Sequence, residues 1–204
     1  MRAAILLLLS TLVLVPAVAS AQGGPATRYI RAQNQQLDHI LTQPASPARD
    51  AQVTTMLVEL LDFDELCRRA LDTHWDALTP AQRTEFSSLL RQLVERNYRT
   101  NLERIRDYDV DYTREETTAT GVVVHTTARS RASRREPPVE LTYTMHMVGS
   151  DWRVIDVTTE GVSMVHNYQQ QFHRIITRDG FDALLTRMRE RLAGSATPAT
   201  TGAH

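Results

Sequence analysis

Three side chains on neighbouring extended segments could do acid–base chemistry: His125, His146 and Asp156. Imidazoles and a carboxylate held together in a cup can move a proton near neutral pH, as happens in some cone-shaped α+β enzymes. Against that, His146 alternates with the apolar residues of its segment and is expected to point outward. Asp62-Phe63-Asp64 reads as a helix cap with first-turn charge, worth about 0.5–2 kcal/mol, and not as a catalytic pair. His166 and His173 share one helix but stand two turns apart, too far to hold one metal. His39, His74 and His204 have no ligand-like spacing around them. The chain has no Cys-x-x-Cys, no His-Glu-x-x-His, no aspartate-rich calcium loop, no nucleophile elbow and no Gly-rich phosphate loop. All 23 basic residues are arginine, which excludes a lysine Schiff base and a P-loop lysine. No metal, cofactor or catalytic residue is expected. The lone Cys67 cannot form an internal bridge and, within Leu66-Cys67-Arg68-Arg69-Ala70-Leu71, reads as a small packing residue on a helix.

Positioning groups of any kind requires a core, and the composition supplies one. The chain has 204 residues, 42% hydrophobic and 23% charged, the balance of a single globular domain that needs no disulfide staples. Its formal charge of −1 lacks the dense cationic face that displaces counterions from nucleic-acid phosphates, so no nucleic-acid partner is expected. Arg68-Arg69 and Arg131 with Arg134-Arg135 are candidate docking patches for an acidic partner.

Met1-Arg2, the apolar run Ala3 to Val15 and the small-x-small end Ala19, Ala21 read as a Sec-type export signal over residues 1–21. The folded domain is expected over 22–193, and a loose Ser/Thr/Ala/Gly tail over 194–204, with a Gly/Pro spacer at Gln22 to Ala26. No later segment approaches the roughly 20 apolar residues of a membrane span.

Tyr29, Leu37, Ile40 and Leu41 mark a first helix that stops at Pro44-Ala45-Ser46-Pro47. A second is expected from about Asp50 to Leu61, and a short third carries Phe63, Leu66, Ala70 and Leu71. Thr79-Pro80-Ala81-Gln82 forms a capping box, and a long amphipathic helix follows through Phe86, Leu89, Leu90, Leu93, Val94, Tyr98, Leu102 and Ile105. The rhythm then changes to strands at Val110–Tyr112, Gly121–Ala128, Val139–Val148 and Trp152–Val157, joined by hairpin-length connections. Leu141, Tyr143, Met145 and Met147 share one face of the third. Ser163 can cap a helix through Met164, Tyr168 and Phe172 that ends at Asp179-Gly180, and a last helix carries Phe181, Leu184, Leu185, Met188 and Leu192. The expected fold is α+β, with helices roofing one side of a curved four-stranded antiparallel sheet.

Leu61-Asp62-Phe63-Asp64-Glu65-Leu66, Ala70-Leu71 with Trp75, and Leu78-Thr79-Pro80-Ala81-Gln82 through Phe86 occur in order. They are followed by Leu89 to Tyr98, Trp152-Arg153-Val154-Ile155-Asp156-Val157, Glu160-Gly161-Val162-Ser163, Asn167-Tyr168-Gln169-Gln170-Gln171-Phe172 and Gly180-Phe181-Asp182-Ala183-Leu184. From Tyr29 to Leu192 this string resembles the MlaC family, periplasmic phospholipid-binding proteins of outer-membrane lipid asymmetry, also called toluene-tolerance auxiliary proteins. Two positions depart from the family pattern: Asp72 stands where a glycine is usual, and Gln169 where an arginine is usual. The resemblance implies that the helices and curved sheet enclose a deep apolar cavity. It further implies that the protein ferries phospholipid between an outer-membrane lipoprotein complex and an inner-membrane ABC transporter, and so works in the periplasm.

A carrier of this kind must replace a bilayer. Two acyl chains with roughly 30 methylenes hold on the order of 24 kcal/mol against entering water. Unbranched and aromatic residues tolerate varied tails. Trp75, Leu89, Leu93, Val124, Tyr143, Met145, Met147, Val154, Met164, Tyr168 and Phe172 are the candidate lipid-contacting residues, and about half of them should touch lipid. The competing readings are an enzyme using His125 or Asp156 on a small apolar substrate, and a lipid-free adaptor whose core is filled.

Overall fold

The computed structural model describes residues 23–194, less the side chains of 101–105. The expected export signal and all of the tail beyond Gly194 lie outside the described residues. The elements run α1 (Pro25–Leu41), α2 (Pro47–Leu60), α3 (Phe63–Leu71), a 3-10 turn (Asp72–His74), α4 (Pro80–Ile105), β1 (Tyr108–Thr118), β2 (Gly121–Ser130), β3 (Val139–Val148), β4 (Asp151–Thr159), β5 (Val162–Ser163), α5 (Met164–Asp179) and α6 (Phe181–Gly194). The architecture is α+β, as expected.

The helix starts follow local chemistry. Ser46 accepts from the Arg49 backbone N–H and Pro47 takes the first helical position, so α2 begins ahead of the expected Asp50. Asp62 accepts from the Glu65 N–H at 3.0 Å to start α3. Thr79 and Gln82 close the capping box reciprocally at 3.0 and 3.3 Å, committing α4. α1 begins at Pro25, inside the expected spacer, without a capping side chain of its own. Glu115, far along the chain on β1, accepts from the Thr27 N–H at 2.7 Å and places a carboxylate at the positive end of α1.

The sheet is antiparallel throughout, in the order β1-β2-β3-β4-β5. It has five strands where four were expected, because Val162-Ser163 pairs with Thr158-Thr159 before Ser163 caps α5. β1 is longer than the expected Val110–Tyr112. Its Arg114-Glu115-Glu116 stretch has no apolar alternation and was unreadable as strand, since β1 is an edge whose charges pair locally. Gly121 (φ +142) follows the β1–β2 turn, and a Cβ there would lie 2.3 Å from the Met145 carbonyl oxygen, so only glycine lets β2 and β3 close.

Cross-strand registers align Val122, Met145 and Val154 in one row, and Val124, Tyr143 and Val157 in the next. Between these rows β4 carries an extra residue, Ile155, opposite the Thr144/Met145 step, and this bulge bends the strand. Beyond β4 the chain entering α3 lies alongside, with Asp62 N–H bonded to the Val154 carbonyl at 3.0 Å.

Apolar packing divides into three clusters. One joins α3, α4, α5 and α6 around Phe86, Cys67, Leu71 and Leu184. A second joins α1 and α2 around Leu37, Leu41, Val53 and Met56, with Tyr98 of α4 against it. The third lies under the start of α1: Ala26 and Ile30 cover Val124, Met145 and Val154.

Candidate functional site

A cleft lies where the outer side of β4 meets three helices. The α2–α3 junction and α3 contribute Leu61, Phe63, Leu66 and Ala70. α4 contributes Leu90 and Val94, β4 contributes Val154 and Val157, and α5 contributes Met164, Val165 and Tyr168. Asp156 is the one charged residue on this wall, and its carboxylate is already engaged. It accepts from the Ser163 hydroxyl at 2.5 Å and from the Val165 N–H at 3.1 Å, which seats the first turn of α5 on β4. Met164 is 41% exposed and stands at the rim. A lining of this composition offers no nucleophile and no metal-ligand set; it offers hydrocarbon.

The cleft encloses about 50 Å³. A buried water needs about 10–15 Å³, so there is room for a few methylenes and not for a pair of acyl chains.

The expected contact residues fall into groups. Val154, Met164 and Tyr168 line the cleft. Trp75, Leu89, Leu93 and Phe172 pack in the helical cluster, where Phe86 meets Phe172 edge to face at 5.6 Å and Tyr168 stacks on Phe172 at 5.6 Å. Val124, Tyr143 and Met145 lie on the sheet under and beside α1. Met147 shares the inner face by alternation but is 47% exposed, at the end of β3 where burial falls away. On α4 the apolar stripe is two columns wide. Leu90 and Val94 reach the cleft, although both belong to the same rhythm as Leu89 and Leu93, so periodicity could not choose between the columns.

Tyr143 differs from its neighbours. Burial pushes its hydroxyl up to about 12, although the residue as a whole keeps some accessible surface. Burial also raises the hydroxyls of Tyr98 and Tyr112, and Tyr98 lies within electrostatic reach of Tyr143.

The acid–base trio does not assemble. His125 bonds Arg114 at 3.0 Å and Glu116 at 3.3 Å on β1, while His146 bonds the α3 cap Asp62 at 2.7 Å. Asp156 serves α5 as described. Each therefore ties together two elements, and none faces the others' partners. His146 is on the outer face, as expected, but is half-buried there by the α3 entry.

The arginine patches are largely paired. Arg68 and Arg69 both bond Glu65, at 2.7 and 2.6 Å, and the Arg68 guanidinium foremost holds that carboxyl down at about 2. Arg131 bonds Asp109 at 2.6 Å. Arg134 and Arg135 are exposed. Cys67 is fully buried, and desolvation pushes its thiol up to about 11, in keeping with a packing role. Among the described residues no cluster of three or more His, Cys, Asp or Glu could hold a metal ion. No described helix is long and apolar enough to cross a membrane.

No curated protein sequence matches the chain. A solved structure, described as the phospholipid-binding protein from Ralstonia solanacearum in complex with a phospholipid, has the same fold. It superposes with a TM-score of 0.72 at 24% identity, covering 83% of this chain and 98% of that one. Residues 31–190 match the family model described as MlaC protein, and the chain belongs to the MlaC family.

Proposed function

We propose that this protein is a phospholipid carrier of the periplasm, exported by residues 1–21, that takes acyl chains between the sheet and the helices. It would exchange lipid with an outer-membrane lipoprotein complex and an inner-membrane ABC transporter. The observation that carries the reading is the apolar cleft at β4 within an MlaC fold, together with the phospholipid described in the Ralstonia protein. Burying roughly 30 methylenes between the sheet and the helices is worth on the order of 24 kcal/mol, which holds the tails against water.

ATP hydrolysis belongs to the transporter in this scheme, and the carrier itself needs no catalytic group or cofactor. The test is native mass spectrometry of the protein purified from cells, followed by organic extraction. A mass excess of one phospholipid is the expected result. A bare polypeptide mass would sink the carrier in favour of a lipid-free adaptor.

A further inference from the structure

Polar groups gather beside Tyr143, between α1 and the sheet. The Asn34 amide of α1 donates to the Tyr112 hydroxyl at 2.6 Å and sits against the Tyr143 hydroxyl as well. A phenol that accepts such a bond still has its own proton to give. Arg31, one turn earlier on α1, lies over the Tyr112 ring with its guanidinium carbon 4.7 Å from the centroid. The Arg31 Nε is buried and has no hydrogen-bond partner. Among the described residues, neither phenol proton meets an acceptor. A buried donor without an acceptor, as at Arg31 Nε, costs stability, and native proteins rarely keep one unused.

The ligand that suits this arrangement carries acceptors only. A glycerophospholipid has such a band, ester carbonyls and a phosphodiester, directly where its tails begin, whereas a sterol or fatty alcohol brings a donor of its own. Resting on the carrier reading above, we propose that Arg31, Asn34, Tyr112 and Tyr143 form a donor cradle for the acceptor oxygens of a glycerophospholipid and so set how deep its tails sit.

The test compares uptake by the mature chain from vesicles of dioleoylphosphatidylglycerol, of its diether analogue, and of dioleoylphosphatidylcholine doped with dioleoylglycerol, read by native mass spectrometry. Y112F/Y143F should lower diester uptake about tenfold at limiting lipid, the loss of two ordinary hydrogen bonds. If the ester carbonyls are the acceptors, the natural protein prefers diester over diether and the double variant erases that preference. If the phosphodiester is the acceptor, both phospholipids fall equally in Y112F/Y143F and in R31M, and dioleoylglycerol uptake is unchanged. Because the diester-to-diether and phospholipid-to-diacylglycerol ratios are internal to each protein, R31M and Y112F alone report them even if the double variant folds poorly. Identical ratios and uptake in all proteins overturn the cradle while leaving the carrier standing. A natural protein that takes up no lipid overturns both.

Discussion

The centre of the helical cluster of α3 to α6 and the sheet region around Tyr143 are made from the same kinds of residue, yet the first is fully buried and the second only in part. In the first, Phe86, Cys67, Leu71 and Leu184 are fully buried and the aromatic rings interlock. In the second, Leu61, Tyr112, Val122, Tyr143 and Val157 are only partly buried beside Val124 and Met145. The cause is geometric. Four helices can pack ridges into grooves from every side, but the start of α1 covers only part of a wide, bent sheet face. A binding protein needs both behaviours: one rigid body, and one seam that can be pried apart at small cost.

That contrast can be broken most forcefully at Phe86. Phe86→Ala should cost about 3–5 kcal/mol in urea denaturation, because the rings and leucines around it cannot collapse into the void. Lipid bound per folded molecule should stay the same. If occupancy falls in step with stability, the two regions are one unit and the division is wrong.

Asp72 probes the helical body from its edge. It ends α3 with φ +47 and ψ −120, a conformation that favours glycine. Asp72→Gly should raise the melting free energy by about 1–2 kcal/mol. No gain would mean that Asp72 is held without strain.

Acid should act on the same body. Glu65 is held at about 2, below its ordinary 4.5, first by Arg68 and then by Arg69. A depressed carboxyl contributes stability that is present above 4.5 and is lost as pH falls toward 2. With solvent screening, about 1 kcal/mol should disappear across that window, and Glu65→Gln should flatten this part of the pH–stability curve. An unaltered curve would show that the ion pairs contribute nothing.

The seam should respond in the opposite sense. Val157→Met at the cleft should change folding stability by less than about 1 kcal/mol, since the side chain has open space to enter. It should nevertheless reduce the phospholipid recovered after purification. A stability loss as large as that of Phe86→Ala, with lipid retained, would make the cleft ordinary core.

The caps at Asp62, Thr79 and Ser163, the long α4 and three of the strands were legible because each rests on local rules of spacing and hydrogen bonding. The charged half of β1 was not legible, because its pairing to β2 is decided by a partner strand and not by its own pattern. The early start of α1 was hidden for the same reason: its cap, Glu115, comes from 88 positions away.

The candidate site divides along the same line. Periodicity turned Val154, Met164 and Tyr168 toward the covered side, and only the family resemblance made them candidates for lipid contact. Which inward residues would meet one another, and which a cleft, could not be read from spacing. Leu89 and Leu90 are equivalent in the sequence and both pack in the helical cluster, and only the positions of α5 and β4 bring Leu90 to the cleft as well. The sequence by itself therefore determined the elements, their buried faces and the family likeness. The tertiary structure decided closure, because whether apolar surfaces meet fully depends on how much sheet a given helix can cover, a property of shape that no single segment contains.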